Sequence, residues 1–278
     1  GASSSSSTST PPPPPLVAPT EDARPQLPKS VKKLLAPTAK TKQDRARLYV
    51  FRHAPNEAPN TNLFILLHGV GDSHVPFDKL ARTLKLPQTA TLAIHAKTLG
   101  HKLPMENFGY AWFQEMEYEE GEMYEEEDEE RVASLNEVTS KLVNMIDMLK
   151  DQYPPERIFL LGYRSGAALA MNIAAERKLG GCICVCGGSA LKARTEGEER
   201  TPVIILVGDQ AEAYTSEEAE EHKEKYGEEA VVHVEKDKEG DDMISKPAEI
   251  RAMMEFLASK LVRAIVMPKG TYSAASAP

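Results

Sequence analysis

The chain has 278 residues, 41% hydrophobic and 27% charged, with a formal net charge of −9. That is enough apolar material for one large α/β domain with tails. No apolar run approaches the ~20 residues that cross a bilayer, and a net acidic chain argues against nucleic acid as the main partner, since phosphate contacts need clustered Lys and Arg.

Residues 1–44 read as a disordered Ser/Pro tail. The runs "SSSSSTST" and "PPPPP" are low complexity and lack the apolar content that offsets ordering entropy. A start at Gly1 without methionine leaves room for a processed leader, and with it an organelle. From Lys29 to Arg47 the chain carries seven basic residues and one acid. We expect this stretch to be a solvated linker, with contact to an acidic protein as the alternative.

The pattern then changes. "ARLYVFRHA" reads as a first strand, and "NLFILLHGVGD" as a continuous apolar strand buried on both faces and ending in glycines. "PFDKLARTLKL" has helical spacing and "ATLAIHA" is another strand. "FGYAWFQ" reads as a loop around the single tryptophan, Trp112. From Glu115 to Glu130 there are eleven acidic residues and no basic ones, which predicts an extended, self-repelling insertion. Apolar residues at helix period predict a helix over 132–149.

"RIFLLG" is a strand, "SGAALAMNIAAERK" a small-residue helix, and "CICVCGG" and "PVIILVGD" two more strands. "SEEAEEHKEKYG" reads as an exposed charged helix capped by Gly227. "AVVHVEK" is a last strand, and an amphipathic helix with Pro247 in its first turn ends the pattern. Alternating strands and helices define an α/β fold with a mostly parallel central sheet and helices on both faces, over about residues 45–265, with 266–278 as a C-terminal tail. Cys182, Cys184 and Cys186 fall on one face of one strand. An odd count in one run is no disulfide framework, so we expect buried reduced thiols and a cytoplasmic setting. No cofactor or metal is called for. The cysteine spacing alone does not close a zinc site, and the acidic run lacks a calcium loop's spaced ligands and glycine.

In such a sheet the site lies at the carboxyl ends of the strands, here "HGVGD", "GYRSG", "VGDQAEAY" and "KDKEGDD". In that order they resemble the phospholipase/carboxylesterase family of α/β-hydrolases, which includes the acyl-protein thioesterases. "LLHGVGDSHVPFDKLARTLKLPQTATLAIHA" is similar to that family's HGxGD loop, helix and next strand, and "WF" at Trp112 and Phe113 fits its later segment. The resemblance implies a serine at a G-x-S-x-G elbow, an acid after a later strand and a histidine before the last helix.

Each triad position departs from that pattern. At the elbow Gly162 and Gly166 are in place, but Arg164 stands where the serine belongs, and the one serine, Ser165, is a place late. A guanidinium cannot act as a nucleophile. At the acid loop Gly208 and Asp209 match, but the orienting acid becomes Ala211, with Asp209 or Glu212 as replacements if the loop is rearranged. The base interval "KDKEGDDMISKP" holds no histidine. His222 reads as an exposed helix residue and His233 as a strand residue. With the nucleophile gone, the elbow at Arg164 is free to relax from positive φ, while the glycines keep strand and helix packed.

What the resemblance leaves is an oxyanion hole made by backbone N–H groups of Val70 and Ser165. Arg164 beside it makes an anion spot for a carboxylate or phosphate. The candidate ligand-binding set is therefore His68, Gly69, Val70, Arg164 and Ser165. The expected function is that of a non-catalytic hydrolase-fold protein that binds a small acyl or anionic ligand, or a protein partner through segment 115–130 or the basic stretch 29–47. The alternatives are an active ester or thioester hydrolase using Ser165 or another serine, and a subunit of a larger assembly.

Overall fold

A computed structural model describes residues 24–104, 109–117, 121–192 and 198–264. Two helices, α1 (Lys29–Leu35) and α2 (Lys42–Ala46), come first. The first strand, β1 (Tyr49–Arg52), is followed by β2 (Asn62–Leu67), helix α3 (His74–Leu84) and β3 (Thr89–Ile94). The short strands β4 (His101–Lys102) and β5 (Tyr110–Ala111) pair with each other. Then come α4 (Glu129–Asp147), β6 (Ile158–Tyr163), α5 (Ser165–Glu176), β7 (Gly181–Val185), β8 (Val203–Gln210), α6 (Ser216–Tyr226), β9 (Ala230–Glu239) and α7 (Pro247–Lys260). The main sheet has the order β1-β3-β2-β6-β7-β8-β9, with only the β1–β3 pair antiparallel.

Strand alternation divides the core in two. Leu63, Ile65 and Leu67 of β2 face the side covered by α1, α4, α5 and α6. Phe64 and Leu66 face the side covered by α3 and α7. This is the period of two that sends successive side chains to opposite faces. Helix α5 is buried along almost its whole length, because its alanines and glycine let it lie close to β6 and β7.

Two stretches expected to be solvated are packed. Within 24–44, Leu27, Val31 and Leu35 are buried in the core. Val31 and Leu35, four apart, lie on one side of α1, Leu27 packs just ahead of it, and Lys29, Lys32 and Lys33 are exposed. The first three basic residues of the stretch therefore lie on the outer face of α1, and the later part forms α2, closed by a capping box between Thr41 and Asp44. Residues 1–23 and 265–278 lie outside the described residues.

The cysteines are free and buried. Cys182 and Cys184 share a face, with sulfurs 3.7 Å apart. Cys186 does not join them. Its φ of +47° turns the chain out of β7 and places it in the opposite core cluster. Past α7, two side-chain amides clasp the chain. Asn62 donates from Nδ2 to the Val262 carbonyl at 2.8 Å and accepts the Val262 N–H at 3.2 Å. Gln88 does the same with Ala264, at 2.9 and 2.7 Å.

Candidate functional site

Between β6 and α5 a single residue, Arg164, makes the turn. Its φ is 49° and its ψ −117°, a region that crowds any residue with a Cβ. The expected relaxation does not occur, and the reason is local crowding. A Cβ on Gly162 would run into the Gly166 carbonyl, one on Gly166 into the carbonyls of Leu67 and His68, and one on Gly187 into Arg164 itself. The Arg164 N–H donates to the Val185 carbonyl at 2.9 Å. The neighbouring backbones thus impose a conformation that costs about 1–3 kcal/mol.

The Arg164 side chain reaches the loop between β9 and α7. Its Nε and Nη2 both donate to the Asp241 carbonyl at 3.2 Å, and the Tyr163 hydroxyl donates to the same oxygen at 2.6 Å. The Asp241 carboxylate in turn accepts the backbone N–H groups of Ala213 and Tyr214, each at 3.0 Å. Three loops from three strand ends are therefore joined in series. Every link is a hydrogen bond with a backbone group at one end. Asp209, at the end of β8, accepts the Lys238 N–H at 3.3 Å, and Ala211 packs against the core.

A cavity of about 470 Å³ opens over this turn. Ser165 lies on its wall, only 3% exposed, and its Oγ has no hydrogen-bond partner. As the first residue of α5, its backbone N–H has no partner within the helix. Glu115 and Arg131 line the same space. Burial pushes the Glu115 carboxyl up to about 7, against the opposing pull of Arg131, the Ser165 hydroxyl and Arg164. The hydroxyl is thus near enough to favour the Glu115 charge, although the two fall short of hydrogen-bond geometry. Cys186 also lines the cavity; burial pushes its thiol up to about 11, so it is not a thiolate nucleophile at neutral pH.

The acidic run was expected to be extended. Among its described residues it folds back on itself, with Met116 bridged to Met123 and the Tyr124 N–H donating to the Glu115 carbonyl at 3.0 Å, and it is tied to the rest of the domain at Glu126. Glu126 Oε1 accepts the Ser189 hydroxyl at 2.9 Å and the Ala190 N–H at 3.1 Å. Its Oε2 accepts from His222 Nε2 at 3.1 Å and Lys225 Nζ at 3.4 Å. Burial works to raise the Glu126 carboxyl, but the bond and charge of His222 and the bonds from Ser189 and Ala190 outweigh it and hold it well below the usual range. His222 is therefore buried, not exposed as expected. Its Nδ1 lies 2.9 Å from the Tyr214 hydroxyl.

The model of the phospholipase/carboxylesterase family matches residues 51–261. The chain belongs to that family. A relative from Schizosaccharomyces pombe, described as an uncharacterized hydrolase, is 28% identical over 130 residues, or 43% of this chain and half of the relative's length. Among solved structures, the esterase PE8 is 21% identical with a TM-score of 0.62, covering 76% of this chain and 98% of that one. Zea mays acyl-protein thioesterase 2 is 15% identical with a TM-score of 0.61 over 77% and 99%. The Bacillus cereus carboxylesterase is 19% identical with a TM-score of 0.56 over 83% and 99%. These likenesses carry the α/β-hydrolase fold.

Arg164 holds the positive-φ turn between β6 and α5. Of the ligand-binding set, Val70, Arg164 and Ser165 line the cavity, whereas His68 and Gly69 do not. His68 is fully buried, and burial lowers its imidazole to about 4, so it is neutral. Its Nδ1 lies 2.6 Å from the Gly69 carbonyl, and its Nε2 accepts the Ala96 N–H at 2.9 Å. Gly69 approaches the Tyr163 ring so closely that a Cβ would stand 3.2 Å from it. His68 and Gly69 thus shape the loop that presents Val70. His233 sits on β9 beside Glu235 at 3.2 Å. Among the described residues no histidine is hydrogen-bonded to a serine, and no group of three His, Cys, Asp or Glu side chains is arranged to hold a metal ion. No described helix is long and apolar enough to cross a membrane.

Sequence reasoning missed Glu115, Glu126 and Tyr214. The first two are hidden in a run of like charges, where nothing local distinguishes one glutamate from the next. His222 was legible in principle, because Ala219, His222 and Tyr226 are spaced three and four apart and form the one buried stripe of α6.

Proposed function

We propose that this chain is a non-catalytic member of the phospholipase/carboxylesterase family that acts by binding at the cavity over the elbow. The observation that carries this reading is the series Arg164 to Asp241 to Ala213 and Tyr214. Where a hydrolase needs a nucleophile, a base and an orienting acid, these loops hold a guanidinium, the Asp241 carbonyl and carboxylate, and two backbone N–H groups. The exposed acids Glu125, Glu127, Glu218 and Glu221 around the mouth suit a basic protein partner as well as a small ligand. The three free cysteines fit a reducing, cytoplasm-like compartment.

One observation favours a second reading, an ester or thioester hydrolase with Ser165 as nucleophile. Glu115, its carboxyl pushed up to about 7, borders the unpartnered Ser165 hydroxyl, and a base works best with a pKa near the working pH. Labelling of the full chain by a fluorophosphonate, beside Ser165→Ala and heat-denatured controls, separates the two. The expected result is no native-specific labelling. Labelling that disappears in Ser165→Ala overturns the non-catalytic reading in favour of the second, and labelling that survives assigns the nucleophile to another serine.

A further inference from the structure

The cavity over the elbow has a polarity that neither the fold nor the lost triad requires. Three donors meet on its inner wall. Ser165 offers an unpartnered, 97% buried hydroxyl. The same residue opens the twelve-residue helix α5, where free N–H groups and the helix dipole favour negative charge. Arg164, which lines the cavity, uses Nε and Nη2 to hold the Asp241 carbonyl, and its guanidinium has no ion pair among the described residues. Arg131 adds a second guanidinium to the lining, anchored by a 2.9 Å bond to the Glu126 carbonyl. The exposed carboxylates of Glu125, Glu127, Glu218 and Glu221 stand at the outer lining.

We propose that this cavity binds a small molecule with one carboxylate, seated on Arg164 and the Ser165 hydroxyl and N–H, and a neutral or cationic far end facing the acidic mouth. The Arg164 Nη1, which makes no hydrogen bond among the described residues, donates to such a carboxylate in a charge-assisted bond while Nε and Nη2 hold the Asp241 carbonyl. A second negative charge on the ligand meets the outer glutamates and is rejected. Glu115 faces Arg131, Arg164 and Ser165 at the inner wall; protonated, it donates to the incoming carboxylate rather than repelling it. The inference deepens the binding reading above and rests on it.

The test titrates the full chain at pH 6 with hexanoate, 6-aminohexanoate and adipate, followed by backbone amide shifts. The expected order of affinity is 6-aminohexanoate, then hexanoate, then adipate, with shifts centred on Val70, Ser165 and Gly166 and saturation below about 10 mM for the first. Arg164→Gly, whose residue is at ease at positive φ, keeps the fold and is expected to weaken binding at least about tenfold. Absence of saturation by both 6-aminohexanoate and hexanoate, equal affinity for adipate, or unchanged affinity in Arg164→Gly overturns the proposal. The two failures are distinguishable. Fluorophosphonate labelling at Ser165 ends the non-catalytic reading whatever the titration shows, whereas a null titration with no labelling ends only this inference.

Discussion

At the scale of single residues, the cavity wall balances burial against charge. Glu115 is the clearest case. Its carboxyl sits at about 7 when folded against an ordinary 4.5. A raised acid favours the folded state at low pH, and that advantage is lost as pH climbs from about 4.5 to 7. A tenfold change in proton affinity is worth about 1.4 kcal/mol, so the full difference reaches about 3 kcal/mol. Glu115→Gln removes the titration. It is expected to match the parent near pH 4.5 and to exceed it by up to about 3 kcal/mol above pH 7, as read by urea unfolding across that range. An unchanged gap at all pH values would show that Glu115 is not buried in its charged form. Buried His68, lowered to about 4, acts in the opposite direction. Its neutral form supports the fold above about 6.5, and that support is lost as pH falls toward 4.

At the scale of elements, one carboxylate ties the acidic segment to two distant elements. Glu126 links the segment before α4 to the turn after β7 and to α6. Removing it leaves His222 and Ser189 without their acceptor, and the loss of a buried partner costs about 1–3 kcal/mol. Glu126→Ala is expected to lower stability by that amount and to speed cleavage within 115–130 by a glutamate-specific protease. Unchanged cleavage would mean that the segment is held elsewhere.

The strands and long helices were legible because their apolar spacing is local. "NLFILL" is β2 and "IFLLGY" is β6, and the period over 132–149 anticipated α4, whose bounds are Glu129–Asp147. The glycines of the elbow were legible for the same reason. Glu126 was not, since its partners lie 63 to 99 residues away. Neither was the fate of Arg164, because its acceptor is a main-chain carbonyl that no side-chain pattern reveals. Helix α1 was lost in a proline-rich neighbourhood, although Val31 and Leu35 carried the spacing of a helix face.

At the scale of the molecule, that misread helix matters most. Leu27, Val31 and Leu35 are each no more than 2% exposed, and burying such side chains is worth about 1.5–3 kcal/mol apiece. Deleting the chain through Ala36 is expected to cost roughly 4.5–9 kcal/mol, comparable to the whole stability of many domains. Equilibrium unfolding of the shortened chain checks this, and a loss under about 1 kcal/mol would place α1 outside the cooperative core. The two amide clasps bear on how the molecule is made. Asn62 closes on Val262, 200 positions later, and Gln88 on Ala264, 176 later. At about 5–20 residues per second of synthesis, the nascent sheet waits roughly 10–40 s for the partners of β2 to emerge. For that interval the ribosome holds a chain whose strand β2 is already complete in sequence but unfastened at one end.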